Sequence, residues 1–472
     1  MVEDNIQDDV HILADDMGMK YLIDGFRRRD FEDDKWRQLY AFYKNDKETT
    51  ELIDKIENAA FYKEMNSQIS KEAAVALYHR ILYGSTSQFE KFAACAFSYF
   101  MRYGLKLNER QEHKVEFFDI GNIVHDALDL YTQKLIKEQK QWGDLSEEEQ
   151  HVQANLCLDE AVENYKNGLM YDTERDTYMV SRIRNILLRT IWAITEQMKT
   201  GKFNTVESEF SFDILEKNQE ESLKSDELLH LIGRVDRIDV FEENNNSYVK
   251  VVDYKTGEKN ISLSDMYYGL QMQLIVYLKA GMDMAEQEGK KNNIQTISIP
   301  AGVLYYNIDD PMLDGTKDNI SKENIPEKIL MSLMGKGMLN SDNPVLPAFD
   351  KNFDSDTGEF PESLTSLVAP FATIKEGELS KSSSVINTKD FKKIIDYTRK
   401  NILSMKSRIM NGDTQASPYK KPASTGETAC KNCLYSDICR FDARIDGNDY
   451  RILKKLSDDD VIYKLYKEQS EE

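Results

Sequence analysis

Trp36, Leu39, Tyr40 and Tyr43 recur at the three- and four-residue spacing of one helix face, and Ala73, Ala74, Leu77 and Ile81 repeat it, so residues 1–82 read as helical. Gly84-Ser85-Thr86-Ser87 interrupts that period and offers an N-cap. FEKFAACAFSYFMRYG then predicts one continuous helix ending near Gly104. Another helix is expected after Asp119-Ile120-Gly121, through NIVHDALDLYTQKLIKEQK, and residues 145–200 read as two more, around Cys157 and Trp192. At Phe203 the period shortens. NTVESEFSFDIL alternates as a strand does, and HLIGRVDRIDVFEENNNSYVKVVDYKTG predicts two strands around an Asn-rich turn. SDMYYGLQMQLIVYLKAGMDMAEQE returns to helix, TISIPAGVLYYNI to strand and KDFKKIIDYTRKNILSMKSRIMNG to helix. Residues 309–385 are polar, carry Gly, Asp, Asn and Pro throughout, and read as an irregular insertion. The order suits an α/β core with a strand meander embedded in helices.

Composition narrows the class. The 472 residues hold 61 Lys+Arg against 83 Asp+Glu, a net charge of −22, with 40% hydrophobic and 31% charged residues. That is a soluble globular balance. No run approaches the ~18 apolar residues of a membrane span. The acidic start, MVEDNIQDDVHILADDMG, lacks a signal-peptide core. A cytoplasmic protein with no membrane partner is expected. The acid excess argues against binding nucleic acid by overall charge. It leaves room for a basic groove, or for carboxylates that hold a metal beside a phosphate.

The most informative stretch is Gly233-Arg234-Val235-Asp236-Arg237-Ile238-Asp239, followed by Val251-Val252-Asp253-Tyr254-Lys255-Thr256-Gly257. On a strand Asp253 and Lys255 share a face. A turn centred between Asn244 and Asn245 pairs Phe241 with Tyr248 and Asp239 with Lys250, and places Asp236 opposite Asp253. Facing carboxylates repel unless a cation lies between them, and Mg²⁺ or Mn²⁺ suits an oxygen-rich site. Lys255 beside it could orient a water or offset charge growing on a phosphate. This is the set needed for metal-dependent phosphodiester hydrolysis, although a D-x-K tripeptide alone reads more often as a solvated hairpin face. His125, one turn after Gly121, is a further candidate ligand or a helix-surface residue. Gln273 and Tyr277 share a helix face by i,i+4 spacing, as an ordinary amphipathic helix against the sheet would also give. Glu209 is a weaker candidate and reads by itself as a plain strand residue.

Cys430-Lys431-Asn432-Cys433 followed by Cys439 places three thiols at metal-ligand spacing. Cys95 and Cys157 are the candidates for a fourth ligand, and spacing alone does not choose between them or between zinc and iron–sulfur. With Cys95, the metal would clip the C-terminal tail to the core and couple its folding to the metal.

Together these residues resemble the nuclease region of the B subunit of AddAB-type ATP-dependent helicase–deoxyribonucleases. The resemblance is carried by YGSTSQFEKFAAC from Tyr83 to Cys95, AFSYFMRYGLKLNER, DIGNIVHDAL, GRVDRID, VVDYKTG, QMQLIVYL and KKPASTGETACKNCLYSDICRFD, in the family's order over roughly residues 70–460. Ala96 departs from the proline that commonly follows the first cysteine. The resemblance implies a PD-(D/E)xK, restriction-endonuclease-like fold of the RecB type, with a mixed sheet surrounded by helices and clipped by four cysteines. It maps His125, Asp236 and Asp253 to metal ligands, Lys255 to the catalytic lysine, and Gln273 and Tyr277 to the accessory helix motif. It maps Cys95, Cys430, Cys433 and Cys439 to a [4Fe–4S] cluster. It divides the chain into a helical remnant of a helicase-like region (1–82), the nuclease with its insertion at 309–385 (83–460) and a polar tail (461–472).

The biology so implied is trimming of the 5′-ended strand of DNA during recombinational double-strand break repair, alongside an AddA-type helicase–nuclease subunit. The family's proteins are more than twice as long, so a gene fragment or a truncated paralogue is expected. No G-x-x-x-x-G-K-[ST] is present, so no P-loop ATP site is expected. Single-stranded DNA should reach the site through a basic and aromatic channel, with Arg182, Arg184 and Arg189 as candidate phosphate contacts or a solvated helix face. Two other readings stand beside this one. A stand-alone CRISPR-associated RecB-like exonuclease shares the cysteine layout. A non-catalytic DNA-end-binding scaffold with a structural cluster would have no chemical need for Asp236, Asp253 and Lys255.

Overall fold

The computed structural model of the chain describes residues 15–29, 31–61, 68–109, 117–165, 174–216, 228–291, 295–313, 321, 324–355, 359–422, 425–445 and 447–468. The helical expectation over 1–14 and 62–67 lies outside the described residues, as does 469–472 of the tail.

Three helices open the chain: α1 (Asp15–Arg28), α2 (Asp34–Asn45), capped by the Asp33 side chain, and α3 (Thr50–Ala60). They close a small core of their own around Leu22, Phe26, Trp36, Tyr43 and Ile53. The chain continues through α4 (Lys71–Tyr78), the short strand β1 (Leu82–Gly84) and α5 (Thr86–Ala94). The expected single helix breaks at Cys95, whose backbone is extended. It resumes as α6 (Ala96–Tyr99) and a π-turn over Phe100–Gly104. Then come α7 (Phe117–Lys137), α8 (Glu147–Asn164), which opens on a Ser146–Glu149 capping box, and α9 (Glu174–Thr200).

The strands follow: β2 (Asn204–Glu216), β3 (Leu229–Glu243) and β4 (Asn246–Lys255). After α10 (Leu263–Tyr267) and α11 (Gln273–Lys291) comes β5 (Ile297–Asn307). The stretch 309–385, expected to be an irregular insertion, is built in part into the core. It supplies α12 (Ile325–Ser332), β6 (Lys336–Asn340), α13 (Val345–Phe349) and β7 (Val385–Ile386). The chain ends in α14 (Thr388–Met410), β8 (Tyr419–Lys420), α15 (Ser436–Cys439), β9 (Arg451–Ile452) and α16 (Asp458–Glu468). Part of the expected polar tail therefore forms α16, which buries Val461 and Leu465.

Strands β1 to β7 form one mixed, seven-stranded sheet. β3 is its axis. β2 pairs antiparallel along one edge of β3; on the other edge β1 lies parallel to Leu229–Leu231, and β4 runs antiparallel from Arg237 onward. β5 is parallel to β4, β6 antiparallel to β5 and β7 parallel to β6. Both faces are covered, which is why β4 is buried from Ser247 to Tyr254. One core joins Val249, Val251, Val303 and Tyr305 to α11 and α14. The other joins Val252, Tyr254 and Tyr306 to α7, α8, α9 and α13.

Candidate metal centre and nuclease site

The β3–β4 hairpin adopts the register expected from its sequence. Asn244 and Asn245 have φ of 52° and 64°, the left-handed pair that a two-residue hairpin turn requires, and Phe241 faces Tyr248 and Asp239 faces Lys250. Arg237 and Val252 are the last paired residues, so Asp236 and Asp253 follow at the open end of the ladder. There the Asp236 carboxylate replaces a backbone bond: its Oδ2 accepts the Tyr254 N–H at 2.7 Å. The alternation of β3 also slips at this point, because Val235 and Ile238, three residues apart, enter the same core. Opposite the slip, between the paired Ser208 and Phe210 of β2, Glu209 has φ of 51°. A non-glycine residue held in the left-handed region inside a strand re-aims its side chain.

These irregularities bring Glu209 and Asp236 onto one imidazole. His125 Nδ1 lies 3.0 Å from Glu209 Oε1, and its Nε2 lies 2.9 Å from Asp236 Oδ2. The three residues form the group of potential metal-ligating atoms lying within 4.8 Å of one another among the described residues. His125 comes from α7, whose first turn approaches the loop after β4 closely; a Cβ on Gly121 would stand 2.5 Å from the Thr256 methyl. The His125 ring meets Tyr254 edge-on at 5.8 Å. Burial pulls the imidazole pKa down, but its bonds to Asp236 and Glu209 outweigh that and push it up to about 10. Arg234 pairs with the other Glu209 oxygen.

Asp253 adjoins this group and is 1% exposed. Neither of its oxygens has a hydrogen-bond partner of good geometry; its ion pair is with Lys255. Burial and then the Asp236 carboxylate push the Asp253 carboxyl up to about 6, against the pull of Lys255. A buried carboxylate with unsatisfied oxygens beside two more carboxylates and an imidazole is a donor set for a hard divalent cation. The sequence offers His125, Asp236 and Asp253 as candidate ligands, with Glu209 a weaker one; the structure gathers His125, Glu209 and Asp236 and leaves Asp253 beside that group. The alternation of β2 shows an acidic residue there, but not its left-handed backbone.

On the facing helix α11, Gln273 Nε2 donates to the Tyr277 hydroxyl at 2.9 Å. Burial, with Asp253 and Asp236 nearby, pushes the Tyr277 hydroxyl up to about 12. The N-terminus of α11 is held by a residue that lies within YGSTSQFEKFAAC but to which the sequence assigns no role. Glu90 of α5 accepts the Met272 and Gln273 N–H groups. Arg184 and Arg189 lie elsewhere: Arg184 bonds Asn155 and Asp159, and Arg189 stands 3.8 Å from Asp310.

Behind the site, in the opposite core, a second ionic group is buried. Asp239 lies 3.2 Å from Arg237 Nε and 2.9 Å from Lys250 Nζ, and accepts the Thr205 hydroxyl at 2.7 Å. Thr205 in turn accepts the Trp142 indole N–H at 3.0 Å. Arg237 also donates to the Tyr254 hydroxyl at 3.0 Å, which braces the ring that His125 packs on.

Cys95, at the break after α5, and Cys430, Cys433 and Cys439 of the tail are close enough to perturb one another. Burial raises the Cys95, Cys430 and Cys439 thiols, and the neighbouring thiols raise them further. Cys433 Sγ lies 3.9 Å from the Ser98 hydroxyl, and Tyr435 bonds the Leu107 carbonyl at 2.8 Å. Cys157 is instead packed in the core of α7, α8 and α9.

A mixed sheet with acidic residues and a lysine at the open end of its central hairpin is the architecture of a nuclease. Residues 84–440 match the PD-(D/E)XK nuclease superfamily, more than half of the chain, and the chain belongs to that superfamily. It is also similar to proteins named as the B subunit of an ATP-dependent helicase/deoxyribonuclease. The identity is 35% over 462 residues with that of Lachnoclostridium phytofermentans, covering 98% of this chain and 38% of the relative. It is 33% over 479 residues with that of Alkaliphilus oremlandii, covering 98% and 40%. It is 32% over 437 residues with that of Clostridioides difficile, covering 90% and 36%. The chain thus spans about two-fifths of the length of the curated relatives it matches. Among the described residues no helix is long and apolar enough to cross a membrane.

Proposed function

We propose that this chain is the nuclease region of a helicase–deoxyribonuclease B subunit and hydrolyses DNA phosphodiesters with Mg²⁺ or Mn²⁺. The observation that carries the reading is the convergence of His125, Glu209 and Asp236 beside the unsatisfied carboxylate of Asp253 and the ammonium of Lys255. His125, Asp236 and Asp253, joined by Glu209, would hold the ion. When bound, it supplies Lewis acidity and an acidified water. Lys255 orients the attacking oxygen and offsets charge on the phosphate. The Gln273 amide leaves the Tyr277 hydroxyl proton free to meet the substrate. The proposed substrate is single-stranded or unwound DNA, digested from the strand ending 5′ in recombinational break repair. The proposed partner is an AddA-type helicase–nuclease subunit in the cytoplasm.

Cys95, Cys430, Cys433 and Cys439 would hold a [4Fe–4S] cluster. The mutual influence of these thiols and the 3.9 Å approach of Cys433 to Ser98, three residues after Cys95, support a shared site. When bound, the cluster would staple the tail to the core.

The test is digestion of end-labelled single-stranded DNA by anaerobically purified chain, in Mg²⁺ or EDTA, beside Asp253→Ala. Cleavage that needs Mg²⁺ and disappears in the variant is expected. DNA binding without cleavage under any metal would overturn the reading in favour of a scaffold.

A further inference from the structure

α5 runs between the two functional regions. At its start it leaves β1, which is hydrogen-bonded to β3; at its end its C-cap is Cys95. One turn before that end, Glu90 Oε1 accepts the Met272 N–H at 2.6 Å and the Gln273 N–H at 3.0 Å. The first N–H groups of a helix have no partner within it, and a carboxylate there also meets the positive end of the helix dipole. Gln273 is the first residue of α11 and positions Tyr277. The carboxylate is half-buried, and the charges of Lys259 and Lys255 next to the site act on it. A single side chain thus bridges the helix that ends at the cysteines and the helix that carries the accessory motif.

We infer that Glu90 is a positioning residue that couples the cysteine cluster to the catalytic helix, by fixing the N-terminus of α11 to the helix that ends at Cys95. This rests on the proposed nuclease reading. If the tail cysteines lose their ligand, α5 loses its anchor at Cys95, and the shift passes through Glu90 to Gln273 and Tyr277. Both N–H groups go to one oxygen of Glu90. A glutamine in its place can therefore take the same two bonds. An aspartate keeps the charge but falls one methylene short, and an alanine keeps neither.

The test compares E90Q, E90D and E90A with the unchanged chain, in steady-state DNA digestion and in amide hydrogen exchange. For E90A and E90D, kcat is expected to fall about 10- to 100-fold with KM within about twofold, the scale of a misplaced catalytic group. E90Q is expected to recover most of that loss. Cys430→Ser is expected to lower kcat in the unchanged chain and to add little on top of E90A, as two changes acting through one contact do. Exchange at Met272 and Gln273 should quicken in E90A, E90D and Cys430→Ser, while the β4 amides stay protected. If E90A does not fold, E90D decides.

Unchanged kcat in E90D, equal losses in E90Q and E90D, or slow exchange at Met272 and Gln273 in Cys430→Ser would each overturn the coupling. If the unchanged chain fails to cleave DNA, the nuclease reading falls, and the exchange experiment still decides the coupling.

Discussion

Asp239 and Asp253 lie on neighbouring strands of one hairpin and are equally buried, at 0% and 1% exposure, yet their carboxyls move in opposite directions. Burial works against the charge of both. Around Asp239, Arg237 and Lys250 outweigh burial and hold the carboxyl below the usual carboxylate range. Around Asp253, the Asp236 carboxylate adds to burial and pushes the group up to about 6. One aspartate sits between two cations of the chain and accepts the Thr205 hydroxyl. The other faces a carboxylate, with Lys255 and, more weakly, Lys259 in partial answer. Burial therefore does not decide the state of either acid; the sign of the neighbouring charge does.

The sharpest way to break this contrast is to remove each acid. Asp253→Ala or Lys255→Ala should lower cleavage at least ~10³-fold, somewhat beyond the loss of a single electrostatic donor, because it strikes both the metal site and the charge beside it. The melting temperature should not fall. If cleavage persists at more than a tenth of its original rate, Asp253 is not functional.

Asp239→Ala should do the reverse. Two buried cations left without their anion cost about 3–5 kcal/mol of stability, readable by urea unfolding, while cleavage per folded molecule is retained. A smaller effect with the opposite sign is expected for Asp253→Asn. A carboxyl whose folded pKa is raised destabilises the fold once ionised. In EDTA near pH 7.5, removing that charge should therefore stabilise the chain by about 1–3 kcal/mol. The gap between variant and unchanged chain should close as pH falls through about 6 towards about 4, the ordinary carboxylate value. A variant less stable than the unchanged chain at pH 7.5 would contradict the charge argument. Smallest, Thr205→Val removes the hydroxyl that links Trp142 to Asp239 and should cost about 1–3 kcal/mol; no measurable loss would show that the two cations alone satisfy Asp239.

The hairpin and its acids are legible in the sequence because register follows from a short Asn-Asn turn and side-chain pairs alone. Strand alternation by itself puts Asp253 and Lys255 on one face, and the turn brings Asp236 opposite them. Glu209 reads as the weakest candidate because its role depends on a left-handed backbone inside a strand, which no side-chain period encodes. The break at Cys95 is hidden for the converse reason, since FAACAFSYF keeps helical spacing straight through it. The stretch 309–385 looks irregular because short elements such as Lys336–Asn340 are lost in polar surroundings, although Met338 and Leu339 are buried in the two cores. Glu90 looks like one polar residue on an amphipathic helix, and its partners lie 182 and 183 positions away.

The contact between Ser98 and Cys433 spans 335 positions. At a translation rate of about 5–20 residues per second, the ribosome needs roughly 20–70 s to travel between them. Through that interval the bend after α5 has been made but its C-terminal counterpart has not. Almost the entire sheet is synthesised while Cys95 still lacks its distant neighbours, so the order of manufacture, as much as the final packing, sets when this chain can first close.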